Sequence, residues 1–219
     1  MGTYLELQTR IADEIMGRTD ISSAASGLST TRVQYAIQDA IKFWEPTRFW
    51  FNEYRTASAF NTVAHQEFYT SADWADIATI AHIDKLSVLI SGNRYFMEPR
   101  TAQYMEDVSI NAAVYGQPVD YSYYDEQLRF YPIPDQVYAV NVLGTKTFSA
   151  LSANADTNVW TTEAEALIRA DAKMRLFRDF LLDPSNAAVC AQTAKAEASN
   201  LKRMTYRRMA PARVTPTYF

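Results

Sequence analysis

The stretch Gln117–Gly144, QPVDYSYYDEQLRFYPIPDQVYAVNVLG, restricts the possible folds more than any other part of the chain. It holds three short β-type runs: Val119–Tyr124, Gln127–Tyr131 and Gln136–Leu143. Asp125-Glu126 is short enough to close a tight hairpin between the first two. Pro132-Ile133-Pro134-Asp135 separates the second from the third, because proline donates nothing to a ladder and belongs between strands or on an edge. In the third run Val137, Ala139, Asn141 and Leu143 alternate with Tyr138, Val140 and Val142. Both faces therefore carry apolar groups, which predicts a strand covered on both sides.

Before this meander, Tyr54–Phe60 and Gln66–Tyr69 read as a hairpin around Asn61-Thr62, while Ser71–Ile77 is ambiguous. Ile80–Ile90 and Arg94–Met97 read as a second hairpin, turned by Ser91-Gly92-Asn93, and Thr101–Val108 as a short helix. Helical periods lie at both ends of the chain. Thr3 and Glu6 form a capping box ahead of Tyr4, Leu7, Ile11 and Ile15, with Gly17 as a stop. After a polar loop over 18–29, Thr31 and Gln34 form a second box ahead of Val33, Ile37, Ile41 and Trp44, and the pair predicts an antiparallel hairpin. Thr162 and Glu165 form a third box, followed by Leu167, Ala170, Met174, Phe177 and Leu181 at helical spacing. Asp183-Pro184 closes that helix and opens the next as N-cap and first helical residue. Ala187, Ala191, Ala194, Ala198 and Leu201 give the last helix a face of small residues that permits close approach.

These signals predict an α+β fold: a helical bundle of an N-terminal hairpin plus two long C-terminal helices, with an inserted antiparallel β module. The expected divisions are 1–50 for the hairpin, 51–159 for the β-rich module and 160–208 for the helical pair, which forms one body with 1–50. Residues 209–219 are expected to be an extended arm, since Pro211 and Pro216 discourage regular structure beyond Ala210.

Catalytic patterns are scarce. The single cysteine, Cys190, permits no intramolecular disulfide and no multi-cysteine metal site, and reads as a helix-packing residue. His65 and His82 lie in unrelated segments outside any metalloprotease or hydrolase motif, and the six glycines are scattered with no phosphate-binding loop. No cofactor or metal is expected. Glu163 and Glu165 read as first-turn carboxylates complementing a helix dipole, and Glu106 and Asp107 as solvent-exposed. The start of the chain has no secretory pattern, Glu6 breaks the myristoylation motif, and no apolar run reaches the roughly 18–20 residues that cross a bilayer. A cytoplasm-like compartment and no membrane partner are the expectations.

Charge is informative once divided. Lys202, Arg203, Arg207, Arg208 and Arg213 stand in residues 202–219 with no carboxylate, giving +5. Residues 1–201 hold 16 basic against 25 acidic residues, or −9. Tyr206, Met209, Val214, Tyr218 and Phe219 interleave the charges with apolar groups, an arrangement suited to folding onto a polar or acidic groove. The partner-binding set read from this arm is Lys202, Arg203, Tyr206, Arg207, Arg208, Arg213, Tyr218 and Phe219. The acidic remainder argues against wrapping DNA. Fourteen tyrosines suit interfaces, although half-buried sheet faces use tyrosine for the same reason.

The order GQPVDY, LRFYPIPDQVYAVNVLG, FSALSANADTNVW and EALIRADAKMRLFRDFLLD resembles the head-to-tail adaptor, or connector, proteins of tailed bacteriophages. The matching features are Gly116-Gln117-Pro118, the turn from Tyr131 to Asp135, Tyr138, Leu151-Ser152, the Trp160 region and the long helix after it; the N-terminal helical hairpin with Trp44 also fits. The resemblance implies a structural, non-enzymatic virion protein assembled in the host cytoplasm. It implies a homo-oligomeric ring, commonly a dodecamer, bound to the portal protein above and a tail or nozzle protein below, with genome DNA passing through without sequence-specific binding. The arm would reach the portal or a neighbouring protomer, and its removal from Lys202 onward would abolish docking without unfolding the body. Two alternatives stand beside this reading: a tail-borne peptidoglycan hydrolase using carboxylates such as Glu163 and Glu165, and a DNA-binding packaging factor.

Overall fold

Side-chain capping fixes most of the helix starts. A computed structural model describes residues 2–15, 20–22, 30–110 and 113–209. Among them six α-helices form: α1 (Tyr4–Glu14), α2 (Arg32–Trp44), α3 (Ala102–Ser109), α4 (Val159–Thr162), α5 (Glu165–Asp179) and α6 (Pro184–Met209). The first two capping boxes are present. Thr3 Oγ1 accepts the Glu6 amide at 3.2 Å while Glu6 Oε2 accepts the Thr3 amide at 3.0 Å, and Thr31 and Gln34 do the same at 3.2 and 2.8 Å. The third box does not form. Asn158 caps α4 instead, accepting the Trp160 amide at 2.9 Å, and α5 begins behind Ala164 with no side-chain cap. The reason is Trp160: starting the turn at Asn158 places its ring fully out of solvent, edge-on to Phe49, Phe51 and Phe148 at 6.2, 5.3 and 6.5 Å. Burial of one indole outweighs a cap worth about 1 kcal/mol.

The chain divides into two units, residues 1–51 with 148–219, and residues 52–147. In the first, α5 is the central helix, and α1, α2, α4 and α6 all pack against it. The apolar rows read from sequence form the core, with Tyr4, Leu7, Ile11, Ile15, Val33 and Ile37 buried. Asp183 caps α6 through the Asn186 amide at 3.1 Å. Ala187, Ala194, Ala198 and Leu201 are buried along that helix.

The second unit holds β1 (Glu53–Asn61), β2 (Phe68–Tyr69), β3 (Ile80–Ile90), β4 (Asn93–Pro99), α3, β5 (Tyr115–Gly116), β6 (Asp120–Tyr124), β7 (Gln127–Tyr131), β8 (Ile133–Pro134) and β9 (Ala139–Lys146). Seven of these strands make one sheet in the order β1-β9-β3-β4-β6-β7-β2, and β5 with β8 makes a separate parallel pair. The fold is therefore α+β, but not a helical bundle carrying a small inserted antiparallel module. The sheet is mixed, since β4 and β6 run parallel with Glu98 beside Asp120. It also has its own core of Tyr54, Phe60, Tyr69, Trp74, Leu86, Val88, Phe130, Val140 and Val142. A parallel neighbour needs a crossover, and α3 lies within the segment that supplies it.

Two other expectations change for related reasons. β1 and β2 do not pair with each other; β1 lies on β9 and β2 on β7, at opposite edges of the sheet. β9 is less covered on one face than on the other, and that face opens at Leu143. Val140 and Val142 are buried, whereas Leu143 is 41% exposed, because its neighbours across both ladders on that face are Arg55 and Lys85. The β6–β7 turn has the expected tight geometry, with φ of 52° at Asp125 and 56° at Glu126, as a primed hairpin turn requires. Below it Arg129, nearly buried, donates to Glu67 and Glu106, each at 2.6 Å, and to Ser109 Oγ at 2.6 Å, tying β7 to α3.

Candidate functional site

The last two turns of α6 sort the basic side chains by which way they face. Leu201 and Thr205 are buried. Thr205 Oγ1 donates to the Leu201 carbonyl at 2.9 Å and accepts the Trp50 amide at 3.0 Å, clamping the helix end to the segment after α2. With these two positions inside, Lys202, Arg203, Tyr206 and Arg207 are directed to solvent; Tyr206 is 69% exposed. Arg203 donates to Asn200 Oδ1 at 3.2 Å, and neither Lys202 nor Arg207 has an ion-pair partner among the described residues. Arg208 is different, because its guanidinium lies 3.6 Å from the centre of the Trp50 ring. That cation–π contact lies at the surface and holds the end of α6 against the segment after α2.

Of the eight residues read from sequence, five are exposed at the end of α6, and Arg208 among them also lies against Trp50. Arg213, Tyr218 and Phe219 lie outside the described residues. Sequence reading missed Thr47 and Arg48, on the turn after α2, which line a shallow groove with Lys202, Thr205 and Tyr206. No linear signal marks them, since their proximity to residue 202 follows from packing. Cations at a helix C-terminus also stabilise the helix dipole, so part of the stripe serves the fold itself.

The carboxylates and histidines are dispersed. Glu165 Oε1 is 2.8 Å from Arg10 Nη1 and 3.6 Å from Arg169 Nη1, so it is an ion-pair partner, and Glu163 follows α4. Glu106 is engaged by Arg129 rather than left to solvent alone. The His65 ring lies edge-on to Tyr115 at 4.7 Å, and His82, on β3, has its Nε2 3.7 Å from Asp84. Among the described residues no group of three or more His, Cys, Asp or Glu side chains could hold a metal ion. Burial pushes the Cys190 thiol up from its ordinary pKa, which disfavours the reactive thiolate.

The helical unit thus ends in an exposed cationic stripe, and the sheet unit has its own aromatic core. Comparison with family models makes the class specific. The model of the SU10 adaptor protein family matches residues 2–216, and the chain belongs to that family. It is a bacteriophage head-to-tail adaptor family, in agreement with the resemblance, so the chain is a structural adaptor component of a phage particle. No curated protein matches the chain. No helix among the described residues is long and apolar enough to cross a membrane.

Proposed function

We propose that copies of this chain form a ring, of twelve-fold symmetry, beneath the portal protein and above a tail or nozzle protein, and that genome DNA passes through its channel. The segment from Lys202 onward docks on the portal or a neighbouring protomer, with Lys202, Arg203, Tyr206 and Arg207 making the first contacts and Arg213, Tyr218 and Phe219 continuing them. The observation that carries this reading is the outward stripe on α6. Three cations and a tyrosine face solvent together at the point where the chain leaves its last helix, and Lys202 and Arg207 have no ion-pair partner among the described residues.

The packing of Thr205 and Arg208 dictates how docking is tested. Truncation at Lys202 would remove the Thr205 clamp and the Trp50 contact, so it would damage the body as well as the arm. The informative variants delete 210–219, or reverse the stripe with K202E, R203E and R207E. Each is mixed with assembled portal rings and the bound mass measured. Loss of capture by both variants is the expected result, with unfolding unchanged by the deletion and lowered by about 1 kcal/mol at most by the reversal. Unchanged affinity in both would remove the arm assignment. Salt-sensitive binding to duplex DNA of any sequence, without portal capture, would instead favour the packaging-factor reading.

A further inference from the structure

The open face of the seven-stranded sheet carries a groove of about 240 Å³ that the docking of α6 does not use. Arg55 on β1, Lys85 on β3, and Arg94 and Phe96 on β4 line it with Leu143 of β9. The register explains why they converge: Leu143 lies between Arg55 and Lys85, and Ser87 opposes Phe96. Phe96 is 61% and Leu143 41% exposed. Lys85 Nζ stands 5.2 Å from the centre of the Phe96 ring. Glu53 and Glu98 lie two residues further along the same faces of β1 and β4. Among the described residues, however, no carboxylate comes within ion-pair distance of Arg55, Lys85 or Arg94. Three cations around an apolar floor, in a chain of net charge −4, form a receptor for something acidic and aromatic.

The same unit displays an element of that description. The β6–β7 turn ends in Tyr124, 72% exposed, followed by Asp125 and Glu126, both exposed and neither in an ion pair among the described residues. Its backbone is fixed by the primed turn, so the three side chains are presented by a rigid hairpin and lose little freedom on docking. It cannot fill the groove of its own chain. β6 continues in the direction of β4 from the Glu98–Asp120 pair, which puts the tip about seven residues of strand beyond Phe96, or roughly 23 Å.

We propose that the Tyr124–Glu126 hairpin tip of one copy seats in the Arg55/Lys85/Arg94 groove of the next. Tyr124 packs on Phe96 and Leu143 while Asp125 and Glu126 pair with the guanidinium and ammonium groups. The contact joins two different surfaces of the same chain, so it is heterologous, and repetition generates a ring if the rotation closes. The inference rests on the ring reading and supplies an interface for it.

The test uses full-length chains, a tip variant (D125N/E126K), a groove variant (R55E/R94E) and a chain carrying all four changes, each first checked for unchanged thermal unfolding. Mass photometry of the protein, alone and with portal rings, counts the copies in each assembly. The expected result is that tip and groove variants each lose multi-copy assembly at least tenfold in concentration. Mixed together they should regain assembly with the two chains alternating, because the intact tip meets the intact groove and the reversed tip meets the reversed groove. The fourfold variant should recover assembly. Multi-copy assembly that ignores both variants overturns this interface and leaves the ring reading standing. Absence of multi-copy assembly in the unaltered protein under both conditions removes the two together. A groove variant that loses portal or tail-protein capture, beside a tip variant that loses nothing, assigns the groove to another virion protein and overturns the self-contact.

Discussion

Gly144 offers a sharp test of how the sheet is built, because two general rules give opposite signs for its replacement by alanine. In a strand, adding a methyl reduces the freedom of the unfolded chain and stabilises by about 0.4–1 kcal/mol where the backbone permits it. At position 144 the added carbon would stand 2.1 Å from the His82 carbonyl oxygen, and 3.2 Å from both the His82 carbonyl carbon and Ile83 Cα. Ordinary contact begins near 3.4 Å, so the shortfall against backbone is about 1.3 Å, with no flexible side chain to give way. β9 lies between β1 and β3, so retreat on one side presses on the other. Overpacking of this kind costs about 1–3 kcal/mol, and with the entropy gain subtracted G144A should destabilise the sheet unit by about 1.3 kcal/mol. For a unit of this size m in urea is about 1–1.5 kcal/mol per M, so the midpoint should fall by roughly 1 M. Hydrogen exchange on β3 and β9 peptides across a urea series reads the sheet unit separately from the helices. Gly92→Ala is the control: its φ is +83° with nothing within 4 Å, so only the left-handed penalty of about 1 kcal/mol applies. A G144A protein as stable as the parent, or more so, would refute the close approach of β9 to His82.

Three further outcomes follow from the packing and the charges. Trp160→Ala should cost the helical unit about 3–5 kcal/mol in denaturant unfolding, whereas Trp160→Phe should cost under about 1.5 kcal/mol, since the buried indole Nε1 has no hydrogen-bond partner to lose among the described residues. Arg208→Ala should lower stability by about 0.5–1 kcal/mol through the Trp50 contact, while K202E/R203E/R207E should abolish portal capture and cost about 1 kcal/mol, because Arg207 stands in the last turn of α6. Asp156, held low by the Ser152 and Ala153 amides, and Asp183, held low by Asn186, both titrate below the ordinary value of 3.8. Their contribution is complete above that value and disappears as pH falls through the lowered folded-state values, because the unfolded chain takes up the protons first. Stability differences between the parent and D156N or D183N should therefore shrink in acid titrations below pH 3.8; differences constant to pH 2 would contradict these hydrogen bonds.

Local chemistry made much of this protein legible in one dimension. The capping boxes at Thr3 and Thr31, the Asp183-Pro184 start of α6, the Ser91-Gly92-Asn93 turn and the Asp125-Glu126 turn each depend on atoms a few residues apart. The buried rows of α1 and α5 needed only a period of 3.6 residues. The cationic composition of the chain beyond residue 201 was equally plain, and so was the resemblance to phage adaptors carried by the Tyr131–Asp135 turn and its surroundings.

Tertiary structure decided everything that depends on long-range partners. The true cap at Asn158 prevailed over Thr162 because Trp160 had Phe49, Phe51 and Phe148 to pack against. β1 found β9, more than 75 residues away, rather than β2, because hairpin signals encode turns and say nothing of which distant edge a strand will join. The parallel β4–β6 pairing changed a presumed insert into a mixed sheet with its own core. Contacts followed the same logic: a helix period places Arg207 and Arg208 side by side, both exposed, but only the folded chain brings Trp50 against Arg208. Alternation along β9 likewise could not reveal that Arg55 and Lys85 would flank Leu143. Sequence determines what each segment can do on its own; which side of it meets a partner is set by neighbours that only the folded chain brings together.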